Sequence, residues 1–182
     1  MNPVSPVLND QFGRRISYVR LSLTDRCDMR CRYCMAETME FLPRSEILSH
    51  EEIGVLARAF VARGVTRIRL TGGEPLARRG AVDVARDIGQ LLQNGLEELT
   101  LTTNASRLRD HAKGLRDAGI ERINISLDTR DPDKFSHVTR LGNLTRVLDG
   151  IAAAKDAGFR ININMVALNG LNDQEILPML EW

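Results

Sequence analysis

The chain has 182 residues, of which 43% are hydrophobic and 27% charged, with a formal net charge of +1. That balance is ordinary for a globular domain and excludes bulk electrostatic attraction to nucleic acid or to an anionic membrane. No apolar run approaches the ~20 residues that span a bilayer, and the first residues, MNPVSPVLNDQFGRR, lack the basic-then-apolar pattern of a secretory leader, so the sequence reads as cytoplasmic.

A strand is predicted near residues 18–23, where Val19, Leu21 and Leu23 alternate with Arg20, Ser22 and Thr24. It leads into CDMRCRYC, which holds every cysteine of the chain: Cys27, Cys31 and Cys34. Ser49 and Glu52 then form a capping box that opens a helix with Ile53, Leu56, Phe60 and Val61 on one stripe. From here one pattern repeats: a helix ends in glycine and an alternating strand follows. Gly64, Gly95, Gly119 and Gly158 sit where a helix terminus calls for positive φ, ahead of strands near 66–71, 98–103, 122–127 and 160–166. The helix before the last strand carries Leu144, Val147, Leu148, Ile151 and Ala152. After it, Asp173 is expected to cap an amphipathic helix with Ile176, Leu177 and Leu180, and a helix unfinished at Trp182 reads as a truncated chain.

Alternating βα units imply a parallel sheet. In each of the five strands one face is apolar and the other polar, whereas a sheet covered by helices on both faces is apolar on both. The fold expected is α/β: a partial (β/α) TIM-like barrel of about five βα units. Helices cover its convex face and a polar concave face lines a cavity suited to an anionic ligand. Arg20 and Arg69 are expected to lack acidic partners on that face, apart from Asp128 at a strand end.

The cysteines follow the first strand, at the strand ends where (β/α) folds place their active sites. A C-x3-C-x2-C loop can wrap three thiolates around one metal centre while leaving a coordination position open. The alternatives are three buried reduced thiols, or a zinc site completed by His50 or by sequence beyond the chain. His111 and His137 read as solvated.

The cysteine spacing, followed one strand later by TGGEP (residues 71–75), resembles the radical S-adenosylmethionine (SAM) superfamily. Within it, YVRLSLTDRCDMRCRYCM, RIRLTGGEP, LTTN, AGIERINISLDTRDPDKF and NMVALNGLND are similar to the GTP 3′,8-cyclases of molybdenum cofactor biosynthesis. The likeness runs through nearly the whole chain and implies that residues 1–182 are the N-terminal radical SAM core of a longer enzyme. It implies a 4Fe-4S cluster on Cys27, Cys31 and Cys34 that cleaves SAM to methionine and a 5′-deoxyadenosyl radical. That radical takes the C3′ hydrogen of GTP, and the C3′ radical then attacks C8, giving 3′,8-cyclo-7,8-dihydroguanosine triphosphate. Tyr33, Gly73 and Ser126 match SAM-contacting positions, and Arg20, Arg69 and Thr102 match GTP-contacting ones. A flavodoxin- or ferredoxin-like electron donor, a downstream pyranopterin monophosphate synthase and a monomeric or homodimeric state are implied too, without nucleic acid or membrane.

Three departures stand out. Asn162 replaces a family lysine at the triphosphate, and Arg160 lies two residues, roughly 6–7 Å, nearer the barrel bottom. Ala105 replaces the glycine after TTN, at a cost on the order of 1 kcal/mol if that position is left-handed. The family's C-terminal part, with three cysteines for a second 4Fe-4S cluster, a further SAM contact and a Gly-Gly tail, is absent. The chain as given is therefore expected to be inactive as a cyclase. Competing readings are another twin-cluster radical SAM enzyme such as a peptide-modifying maturase, a non-catalytic iron–sulfur or zinc module, and a phosphate binder, the last lacking any phosphoryl-transfer signature.

Overall fold

The computed structural model describes residues 7–182. Five strands make one sheet in the order β1-β2-β3-β4-β5: β1 (Tyr18–Ser22), β2 (Arg67–Thr71), β3 (Glu98–Thr103), β4 (Arg122–Ser126) and β5 (Arg160–Asn164). Every neighbouring pair is parallel. Each crossover runs through helix: α1 (His50–Ala62), α2 (Ala81–Gly89), α3 (Leu108–Asp117), then α4 (Pro132–Thr139) with α5 (Leu144–Asp156). A short α6 (Ile176–Glu181) follows β5. This is the open βα sheet of a partial barrel.

The predicted two-faced strands account for the core. Leu21, Ile68, Leu70, Leu99, Leu101, Ile123 and Ile125 are all buried, against Ile53 and Ala57 of α1, Val84 and Ile88 of α2, Leu108 and Leu115 of α3, and Val147 and Ile151 of α5. Removing such side chains from water at roughly 25 cal/mol per Å² is the main force holding helices to sheet. The capping box is present, with the Ser49 side chain accepting from Glu52 N and the Glu52 carboxylate from Ser49 N. The four helix-ending glycines all have positive φ, from 77° at Gly158 to 101° at Gly95.

Two helix stripes and one cap differ from expectation. Leu56 and Ala152 are exposed; Ala57 and Ala154 face the sheet instead. One member of each stripe is misplaced, while Ile53, Leu144, Val147 and Ile151 are buried as expected, because alanine on a buried face makes little apolar signal against its neighbours. Asp173 caps nothing: it opens a single 3-10 turn (Asp173–Glu175), and α6 starts behind Glu175 without a side-chain cap. The residue that organises this segment is the fully buried Asn172, whose amide donates to the carbonyls of Asp128 (2.7 Å) and Val166 (3.0 Å).

Candidate functional site

The cysteine loop leaves the C-terminal end of β1 and is pinned on three sides. Against β2 lies the turn Gly72-Gly73-Glu74, where Gly73 N donates to Thr24 O (2.7 Å) and Glu74 N to Arg26 O (2.8 Å). A Cβ on Gly73 would stand 2.5 Å from Arg26 O and 2.6 Å from Asp25 O, so only glycine lets the two loops meet there. Against the end of β3, the Asn104 amide donates to Asp28 (2.9 Å) and lies 3.8 Å from Cys27 Sγ, while the Ser106 hydroxyl also bonds Asp28 (2.7 Å). Against the end of α4, Arg30 N and Arg32 N donate to the carbonyls of Thr139 (2.9 Å) and Val138 (3.0 Å), and the Arg140 guanidinium reaches Arg30 O (2.9 Å) and Met35 O (3.2 Å).

Within this frame Cys34 N and Met35 N both donate to Cys31 O, closing a turn that sets Cys31 beside Cys34. All three cysteines line one cavity of about 330 Å³, together with Asp25, Gly72 and Gly73. Among the described residues, no group of three or more His, Cys, Asp or Glu side chains is gathered tightly enough for a single ion. Three thiols spaced around a cavity are arranged so that each could take a different iron of a multi-iron cluster. His50 is not among these groups; its Nε2 pairs with Asp87 on α2 at 2.8 Å.

Burial shapes the site's acids. It raises the Cys27 thiol and lifts Cys31 to about 11, with the negative charge of Asp128 adding to it. Metal binding would have to displace these protons. Tyr33 donates its hydroxyl to Asp128 (2.7 Å) and is pushed above its ordinary range by burial and by that bond. Glu74 is buried, and its carboxylate takes three donors: Leu76 N (3.0 Å), the Thr103 hydroxyl (2.7 Å) and Asn104 N (2.7 Å). Desolvation outweighs those bonds and lifts Glu74 to about 7.

Below the cavity the concave face is laid out in rungs. One rung runs Arg20, Arg69, Thr100, Arg122, Arg160 across all five strands. The next pairs Ser22 with Thr71 on one side of the sheet and joins Thr102, Asn124 and Asn162 on the other. Ser126 pairs with Asn164 at the top. Arg160 is thus level with Arg20 and Arg69, although a rung below Asn162, and its guanidinium turns to Glu121 (3.2 Å). The expectation of no acidic partner on this face other than Asp128 is corrected by Glu98, which holds Arg122 at 2.8 Å. The side chain of Glu98 alternates with Leu99 and Leu101 and so shares the face of Thr100 and Thr102. Among the described residues, Arg20 and Arg69 have no carboxylate partner; Arg69 packs over the Tyr18 ring at 5.5 Å and reaches the Thr100 hydroxyl at 3.4 Å. The Thr102 hydroxyl is buried and, among the described residues, has no hydrogen-bond partner.

The structure therefore brings Cys27, Cys31, Cys34 and Gly73 to one cavity, sets Tyr33 on the same loop, and puts Arg20, Arg69, Thr102, Ser126 and Asn162 on the concave face. Sequence reasoning passed over Glu74, Asn104 and Arg140, and took Asp128 only as an acid at a strand end, not as the acceptor of the Tyr33 hydroxyl. Glu74 and Asn104 lie inside quoted motifs and could have been questioned; Arg140 carries no local signal.

Comparison with known proteins now decides the family. The radical SAM superfamily model matches residues 21–182. This chain belongs to the radical SAM superfamily. Curated relatives named GTP 3′,8-cyclase include one from Erythrobacter litoralis, 58% identical over 175 residues, and one from Bradyrhizobium diazoefficiens, 51% identical over 180. These alignments cover 96% and 98% of this chain but 53% and 52% of the relatives, so the chain spans about half their length. Among solved structures, Streptococcus suis SuiB bound to S-adenosylmethionine superposes with a TM-score of 0.76 at 18% identity, over 91% of this chain and 37% of SuiB. At that identity the likeness is one of fold. For a radical SAM chain, the three-cysteine cavity beside a Gly-Gly turn is the part of this structure that fits the superfamily's cluster and cosubstrate.

Proposed function

We propose that this chain is the radical SAM core of a GTP 3′,8-cyclase. Cys27, Cys31 and Cys34 would hold a 4Fe-4S cluster, Tyr33, Gly73 and Ser126 would face SAM, and Arg20, Arg69 and Thr102 would face GTP, with Asn162 at the triphosphate. When bound, the cluster and SAM supply the radical chemistry. The protein's part is to orient and to shield. The observation that carries the reading is the shared sheet: the thiol cavity caps the strand ends, and below it stand two guanidiniums that have no carboxylate partner among the described residues. Guanidiniums in that state suit a triphosphate, which they can take by bidentate, charge-assisted bonds. The partnerless hydroxyl of Thr102 adds a polar group one rung nearer the cavity. The electron donor, the downstream synthase and the second cluster belong to the same reading, as does placement in the cytoplasm; no helix among the described residues is long and apolar enough to cross a membrane. A peptide-modifying radical SAM enzyme is the second reading, favoured by the neutral Asn162.

The test is binding. After anaerobic reconstitution the chain should carry about four irons, lost in Cys31→Ala. GTP should bind at least roughly tenfold more weakly to Arg69→Ala, with SAM binding unchanged. A chain that takes up iron and SAM but ignores GTP would move the assignment to the second reading.

A further inference from the structure

The sulfur of Cys27 has two N–H groups on it. Met29 N lies at 3.4 Å and the side-chain amide of Asn104 at 3.8 Å, lengths set by the large radius of sulfur. The first donor is local, two residues along the same loop. The second arrives from 77 residues away, at the end of β3.

A side-chain amide has nearly the same shape either way round, so its direction follows from its partners. Two partners fix Asn104. Ser106 N donates to its Oδ1 at 2.9 Å. Asp28 Oδ1 lies 2.9 Å from its Nδ2, and a carboxylate can only accept. The NH2 end therefore faces Asp28, and its second N–H is the one that meets Cys27 Sγ. Asp28 is held in turn by the Ser106 hydroxyl (2.7 Å) and the Arg107 guanidinium (3.3 Å). The backbone of Asn104 is tied to Glu74 at 2.7 Å, and the residue is buried. The donor is thus set in place by the protein on every side except the one toward the sulfur.

We infer that Asn104 is a positioning residue for the cluster: its amide holds the Cys27 sulfur by an N–H···S bond and raises the cluster's reduction potential. This rests on the cluster-binding part of the reading above and needs neither SAM nor GTP. One-electron reduction adds negative charge to a 4Fe-4S cluster and its thiolates. An N–H dipole aimed at a ligand sulfur stabilises the reduced form more than the oxidised one. Because Ser106 and Asp28 orient the amide in advance, little is left to reorganise when the charge arrives. Met29 N pulls in the same direction from within the loop, so Asn104 supplies the part of the effect that depends on the tertiary fold.

The test is a reductive titration of the iron-reconstituted protein with dithionite and redox mediators, without SAM. The reduced cluster is followed by electron paramagnetic resonance, and iron content is measured alongside. Asn104→Ala removes the donor. Asn104→Asp removes it too, but keeps an acceptor for Ser106 N. In both, the reduction equilibrium should shift by roughly tenfold or more toward the oxidised form, a fall of about 59 mV for one electron. Ser106→Ala loosens Asp28 and leaves the donor on Cys27, so its reduction equilibrium should stay within about twofold of the parent's. An unchanged potential in Asn104→Ala overturns the assignment. So does a fall confined to Asn104→Asp, which would be an effect of charge, or an equal fall in Ser106→Ala, which would be an effect of a loosened loop. Loss of iron from both Asn104 variants also overturns it, by making Asn104 a residue the cysteine loop needs in order to fold. Failure of the unsubstituted protein to take up a four-iron cluster sinks the underlying reading as well, and is told apart by needing no substitution.

Discussion

Glu74 shows how much one side chain can be asked to do. The turn before it is pressed against Thr24–Arg26 at distances that exclude a Cβ, and the turn after it begins with Pro75. Between them a buried carboxylate satisfies two backbone N–H groups and a hydroxyl that would otherwise be orphaned. Because burial raises its pKa from 4.5 to about 7, the folded protein keeps a proton that the unfolded chain has released across that window. Stability should therefore fall as pH rises from about 4.5 to about 7, by up to about 3 kcal/mol, and level off above. Glu74→Gln titrates no proton and puts an amide donor where Asn104 N needs an acceptor. It should be about 1–3 kcal/mol less stable than the parent near pH 5, with the gap narrowing by about pH 7.5 because only the parent loses stability. Chemical denaturation at the two pH values decides it, and parallel pH curves would count against the account.

At the scale of elements, the cysteine loop borrows its shape from its neighbours. Its amides and carbonyls find partners on the GG turn, the β3 end and the α4 end, not within the loop alone. Two of these neighbours hold non-glycine residues at positive φ: Ala105 at 62° after β3 and Arg140 at 59° after α4. The sequence posed a left-handed Ala105 only as a condition, and the chain meets it; nothing in HVTRLGN marks Arg140 as a strained helix end. Such conformations cost of order 1–3 kcal/mol and persist where surroundings over-determine them. At Arg140 those surroundings are the two carbonyls of the cysteine loop. Arg140→Ala and Arg140→Gly both remove the clamp, and amide exchange at Arg30, Arg32 and Met35 should quicken about tenfold in each. Global stability should fall less in the glycine variant, which relieves the backbone. Exchange mass spectrometry with a parallel melt reads both; an unchanged loop would show that α4 holds it without Arg140.

At the scale of the molecule, the polar concave face is an arginine-rich surface balanced by Glu98 and Glu121 at its lower end and unbalanced at Arg20 and Arg69. Asn162, joined to Asn124 at 3.4 Å, leaves the rung above without charge. Asn162→Lys should strengthen GTP binding by roughly fivefold at low salt and steepen its loss with added salt. Calorimetric titration at two ionic strengths measures both. An indifferent Asn162→Lys beside a damaging Arg69→Ala would confine the anion site to the β1–β2 side.

What the sequence by itself determined is local and periodic. The period-2 alternation of each strand set one face to the core and one to a lumen, and the glycines after helices marked every return to the sheet. The three cysteines and the GG turn were bound to sit at strand ends, because each directly follows a strand. What only the tertiary structure decided is level and proximity: that Arg160 is registered with Arg20, that Glu98 takes Arg122, and that Glu74 is consumed by β3. Those facts depend on register between neighbouring strands and on close approach of segments some 20 to 110 residues apart, as from Glu98 to Arg122 and from Arg30 to Arg140, and no local pattern encodes a distance across a sheet.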